Sequence, residues 1–110
     1  AFKSPKKTFK DFSKFFSMVK KELPGTKLIV IGVKPSTARK FLISEEQEFN
    51  SLISNLAEEE DLLSYVSVWN SMLTNEGNAN PALFVEDGLH MNKKGYEIWT
   101  KLVKPEIDKL

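Results

Sequence analysis

Residues 28–33 read Leu28-Ile29-Val30-Ile31-Gly32-Val33, an apolar, largely β-branched run with no polar alternation. A strand with one wet face alternates, whereas a strand covered on both faces, as in a parallel sheet, reads as a continuous apolar run. The run therefore predicts a central strand, stopped by Lys34-Pro35-Ser36. Upstream, Ser4 followed by Pro5 has the form of an N-cap with proline at the first helical position. Phe9, Phe12, Phe16, Val19 and Leu23 then recur at helical spacing as far as Pro24-Gly25. Downstream, Ser44-Glu45-Glu46-Gln47 matches a capping box opening a second helix, with Phe49, Leu52, Ile53 and Leu56 as its buried stripe. Residues 65–69 predict a second strand, Val66 and Val68 on one face and Tyr65, Ser67 and Trp69 on the other. A loop rich in Asn and Gly follows over residues 70–81. Asn92 then caps a third helix carrying Tyr96, Ile98, Trp99, Leu102 and Val103, expected to yield at Pro105.

The order is thus α/β alternation around a parallel sheet, with two strands and three main helices in one unit, residues 1–110. Parallel sheets usually hold ~4 to 6 strands. Two strands fall short of that, so the expectation is a portion of a larger sandwich whose strand at residues 28–33 invites pairing along an open edge.

Composition narrows the function classes. The chain is 41% hydrophobic and 28% charged, without cysteine, which excludes a disulfide framework, a Cys-based zinc site and a thiol nucleophile. A single histidine, His90, excludes a multi-histidine metal site. Nothing in the 110 residues reads as a signal peptide or a membrane-spanning stretch. The net charge of +1 conceals strong polarity: residues 1–40 carry eleven Lys or Arg against two acids, residues 41–90 ten acids and no Lys or Arg. Such asymmetry suits either a contact with an anionic partner or two solvated faces that lie near each other.

The segment that carries chemistry is Asp87-Gly88-Leu89-His90-Met91-Asn92, followed by Gly95, Tyr96 and Trp99. A carboxylate three residues before a histidine can, in a tight turn, reach the imidazole Nδ1 and stabilise the imidazolium formed when Nε2 takes a proton. Gly88 favours a turn there, and Asn92 places His90 just ahead of a helix N-terminus.

This block resembles the C-terminal catalytic block of the SGNH, or GDSL-type, ester hydrolases, in which an Asp and a His three apart complete a Ser-His-Asp triad. Residues 28–36 with Ala38-Arg39, and Asn80-Pro81 through Leu83-Phe84 to Asp87, extend the likeness over nearly the whole chain. It implies a flavodoxin-like three-layer α/β/α sandwich, with Asp87 and His90 as catalytic residues and no cofactor or metal. It also implies carboxylic esters as substrates, acetyl or short acyl groups on carbohydrate or lipid alcohols. The match is to the family's C-terminal part. Its Gly-Asp-Ser-Leu-like and Gly-x-Asn-Asp-like blocks are absent, and none of the five glycines is followed by an acid. Ser36 is the only serine at the expected C-terminal edge of a strand and reads as a loop residue.

The leading expectation is accordingly the C-terminal portion of an SGNH-type esterase, completed by an N-terminal segment that supplies the serine and the oxyanion hole. A second reading is a non-catalytic remnant of that fold, self-associating through its sheet edge. A third takes the basic N-terminal segment as a nucleic-acid or anionic-membrane module. Against the third, five of eight Phe lie within residues 2–16, three of them at core-facing spacing, and no nucleic-acid motif is present.

Overall fold

The computed structural model describes residues 4–110. Helix α1, Pro5–Glu22, starts where the Ser-Pro signal places it, with Ser4 Oγ accepting the Lys7 N–H at 3.2 Å. Its stripe is narrower than the spacing predicts. Phe16 and Val19 are buried, Phe9 and Phe12 half-buried, and Leu23, 57% exposed, lies beyond the last turn. The side chain of Lys20 stands over the Phe16 ring and reaches Glu60 at 3.0 Å, joining the basic N-terminal part to the acidic middle of the chain.

Strand β1 spans Leu28–Ile31 and pairs in parallel with β2, Leu63–Val66, with Leu28 opposite Leu63 and Ile31 opposite Val66. Both strands differ from their predicted ranges. Gly32 still donates to the Val66 carbonyl, but the N–H and C=O of Val33 are both taken by the Asn50 side chain, which ends the ladder. The second strand starts two residues early and stops at Val66. Val68 and Trp69 leave the sheet and bury in the core instead, Val68 at 1% exposure. All four β1 residues are only half-buried, so among the described residues β1 is an edge strand of a two-stranded sheet.

Helix α2, Ile43–Glu59, begins one residue before Ser44 and without a side-chain cap. A 3-10 turn over Lys40–Leu42 runs directly into it, which leaves Ser44 inside the first turn, where it cannot act as the predicted N-cap. Helix α3, Lys93–Asp108, passes through Pro105. Pro105 and Lys101 both face solvent, so the Lys101 carbonyl that loses its N–H donor is open to water, and the interruption is tolerated in the last turns.

Helices α1 and α2 pack together, with α2 against β2, while α3 contacts both strands. The main apolar cluster joins Val68, Met72, Ala79, Leu83, Phe84 and Met91, with Ile31, Ile98, Trp99 and Leu102 packed against it. It lies under the segment that holds Asp87 and His90.

Candidate active site

Residues 84–91 form a closed loop. Phe84 and Met91 make an antiparallel bridge, Val85 N–H donates to the His90 carbonyl at 2.9 Å, and Gly88 N–H donates to the Val85 carbonyl at 3.0 Å. The turn needs Gly88, whose φ is +67° and whose missing Cβ would stand 2.3 Å from Thr37 Oγ1.

Within this loop Asp87 uses both carboxylate oxygens. Oδ1 accepts the N–H groups of Leu89 at 2.8 Å and His90 at 2.9 Å, and Oδ2 meets His90 Nδ1 at 2.5 Å. The bond to His90, followed by the two backbone N–H groups, holds the Asp87 carboxyl at a pKa of about 2. Asp87 is thus an ionised acceptor near neutral pH. Nδ1 must be the donor, and neutral His90 keeps its lone pair on Nε2. The imidazole is 73% exposed. The structure brings the two side chains together as a carboxylate held by two backbone N–H groups and an imidazole bonded to that carboxylate.

Asn92 fastens the loop from below. Its Oδ1 caps α3 by accepting Gly95 N–H at 3.1 Å, and its Nδ2 donates to the Ala82 and Phe84 carbonyls at 2.7 and 3.4 Å. Gly95 is buried, and a Cβ there would lie 2.7 Å from the Leu83 carbonyl oxygen, so the close approach admits only glycine without a shift. From the side, the Gly88 carbonyl accepts both Ala38 N–H and Thr37 Oγ1–H, each at 3.1 Å. This ties the segment after β1 to the turn that carries the pair.

Lys34, half-buried near the same end of β1, has its pKa lowered chiefly by burial and then by Arg39, while Glu46 and Asp87 oppose the shift. Glu46 is buried at 3% exposure and its pKa is raised by that burial against the pull of Arg39 and Lys34. Ser36 is 1% exposed, a buried loop residue out of a substrate's reach.

Sequence reasoning missed Glu46 and Asn50 as core-facing polar groups. The signal was available: positions 46, 50 and 53 share one helical face, and Ile53 is buried at 1% exposure. Among the described residues no group of three or more His, Cys, Asp or Glu converges as a metal cluster would require.

Neither a protein-family model nor a curated protein matches this sequence. Solved structures do. The esterase domain of the ZfL2-1 ORF1 protein from the zebrafish ZfL2-1 retrotransposon superposes with a TM-score of 0.82 at 24% identity, over 99% of this chain and 62% of that one. A GDSL-like lipase from Bacteroides thetaiotaomicron gives 0.72 at 24% identity, over 96% and 53%. A Bacteroides fragilis protein described as an acylhydrolase gives 0.71 at 23% identity, over 99% and 53%. The chain spans about half to three-fifths of the solved structures it matches. At these identities the likeness establishes architecture: the chain has the α/β fold seen over about half to three-fifths of these esterase, lipase and acylhydrolase structures.

Proposed function

We propose that residues 1–110 are the C-terminal portion of an SGNH-type domain that hydrolyses carboxylic esters, with the nucleophilic serine and the oxyanion donors contributed by a segment outside this chain. The observation that carries this reading is the bond of Asp87 Oδ2 to His90 Nδ1, which leaves the Nε2 lone pair of an exposed imidazole unused.

In the proposed reaction His90 Nε2 takes the hydroxyl proton as the serine Oγ bonds to the ester carbonyl carbon. The imidazolium returns that proton to the departing alkoxide as the C–O bond breaks. Water then repeats the sequence on the acyl-enzyme, releasing the acid and the serine. Asp87 stays ionised throughout and stabilises the imidazolium. A base and its orienting carboxylate alone do not catalyse acyl transfer at enzymatic rates, because each missing oxyanion donor forfeits ~3 to 4 kcal/mol. Acetyl or short acyl esters of carbohydrate or lipid alcohols are the substrate class proposed.

Three features support an incomplete domain. The accessible surface is 7372 Å², against about 6,200 Å² for a compact monomer of this mass. The radius of gyration is 14.9 Å, against about 13 Å for a compact domain of this length. An open apolar groove of 390 Å³ lies between Ile31 of β1 and α3, lined also by Tyr96, Trp99, Val103 and Ile107.

The test is fluorophosphonate labelling of protein isolated from its natural source, read by intact mass. A labelled serine on a segment joined to, or co-purifying with, residues 1–110 is the expected result. No labelling, with a single mass for this chain, would refute the catalytic reading and leave the self-associating remnant.

A further inference from the structure

The Gly88–Leu89 peptide is gripped at both ends. Its N–H, on Leu89, donates to Asp87 Oδ1 at 2.8 Å, while its carbonyl, on Gly88, accepts Thr37 Oγ1–H and Ala38 N–H at 3.1 Å each. A peptide unit is planar, so fixing the carbonyl direction fixes the N–H direction. At a glycine with φ of +67° the alternative backbone wells are open, and without an outside contact this plane has the most freedom to rotate of any in the turn.

We infer that Thr37 is a positioning residue for Asp87 and His90, its hydroxyl holding the Gly88 carbonyl so that the Leu89 N–H stays on the Asp87 carboxylate and Oδ2 stays on Nδ1. Thr37 touches neither side chain and acts through one peptide plane. Ala38 supplies a backbone donor that every substitution but proline leaves in place, so Thr37 is the half of the clasp encoded by a side chain. As a statement about catalysis the inference rests on the proposed roles of Asp87 and His90; as a statement about geometry it stands without them.

The experiment compares Thr37→Val, of like shape without the hydroxyl, with Thr37→Ser, which keeps it, in the 110-residue chain. Two readouts are taken by NMR near neutral pH: the downfield Nδ1–H resonance of His90, and the exchange rate of the Leu89 amide, with the amide of Ile53 as a core control. In Thr37→Val the Nδ1–H resonance broadens beyond detection and Leu89 exchange rises roughly two- to tenfold, the change expected from one neutral hydrogen bond. Ile53 is unmoved, and Thr37→Ser behaves as the unsubstituted chain. Wild-type behaviour of Thr37→Val, or equal loss in Thr37→Ser, overturns the inference. Unfolding of Thr37→Val also overturns it, because the hydroxyl would then be a general prop. Failure of the esterase reading appears separately, as absence of serine labelling with the NMR differences intact.

Discussion

Asn50 is the residue whose replacement tests most directly how β1 delivers its following segment to the site. Its side chain closes a two-bond ring with Val33, Oδ1 accepting the N–H at 2.8 Å and Nδ2 donating to the carbonyl at 2.9 Å, at 8% residue exposure. Asn50→Ala removes the partners of both backbone polar groups of half-buried Val33. Each neutral bond is worth about 1 kcal/mol net, and a group left unpaired costs more, so the loss is about 2 kcal/mol, rising to ~3 where water does not enter. For a domain of this length that lowers Tm by roughly 8–13 °C. Asn50→Asp supplies the sign check. Ionised, it keeps the acceptor for Val33 N–H but sets a second oxygen against the Val33 carbonyl; protonated, it regains a donor. The folded pKa of the introduced carboxyl is therefore raised, and its stability is present at low pH and lost as pH rises through that value. Urea unfolding followed by circular dichroism at about pH 4 and pH 7 measures both. An Asn50→Ala chain within ~0.5 kcal/mol of the parent, or an Asn50→Asp deficit that does not shrink on acidification, would refute the argument.

Gly95→Ala drives a Cβ to 2.7 Å from the Leu83 carbonyl and 2.9 Å from Met91 Cβ, so calorimetry should find about 1–3 kcal/mol of destabilisation, with the end of α3 nearest the site loosened first in amide exchange. The carboxyl of Asp87 titrates at about 2 in the folded chain, below its ordinary range. The stability it lends is thus complete above about pH 4 and disappears as pH falls toward 2, and Asp87→Asn should flatten that part of the urea midpoint profile. The raised pKa of Glu46 has the opposite sense: burial favours its neutral form, and ionisation costs stability as pH climbs. Glu46→Gln should match the parent near pH 4 and exceed its midpoint at pH 7. A Gln variant less stable at pH 7 would mean that the attraction of Lys34 and Arg39 outweighs desolvation.

What could be read in the sequence follows from how local the causes are. Ser4-Pro5 and Asn92 act within one helical turn, and both caps form as expected. The apolar run at residues 28–33 announced a strand, because continuous β-branched residues suit no solvated element. Its end was not legible, since the group that terminates it, Asn50, lies on another element. The second strand slid for the same reason: Val68 and Trp69 have strand character, but the cluster around Met72, Leu83 and Phe84 takes Val68 into the core, and Trp69 is buried after it. A polar residue facing inward, such as Glu46 or Asn50, defeats a hydrophobic stripe analysis by construction. Asp87 and His90 were legible because three residues, a glycine and a carboxylate suffice to build their turn. The clasp from Thr37 was not, being fifty-one residues from Gly88.

That locality bears on how a divided active site can work. Every bond that orients Asp87 and His90 arises between residues 82–95, apart from the two donors at Thr37 and Ala38. None crosses the open edge of β1 or the groove against α3. In the proposed enzyme the base is consequently set, with its tautomer chosen and its carboxylate ionised, before any segment carrying the serine docks. Docking then has to place one hydroxyl and the oxyanion donors against a fixed imidazole; it does not have to reorganise the pair. The separation has a thermodynamic consequence. Substitutions that loosen the loop, at Thr37, Gly88 or Asn92, should lower turnover in the assembled enzyme with little effect on assembly. Substitutions in the groove, at Val103 or Ile107, should weaken assembly and leave turnover of the assembled fraction unchanged. A groove variant that altered the pH dependence of turnover at saturating partner would mean that the pair is organised across the interface, contrary to the bonds within the loop.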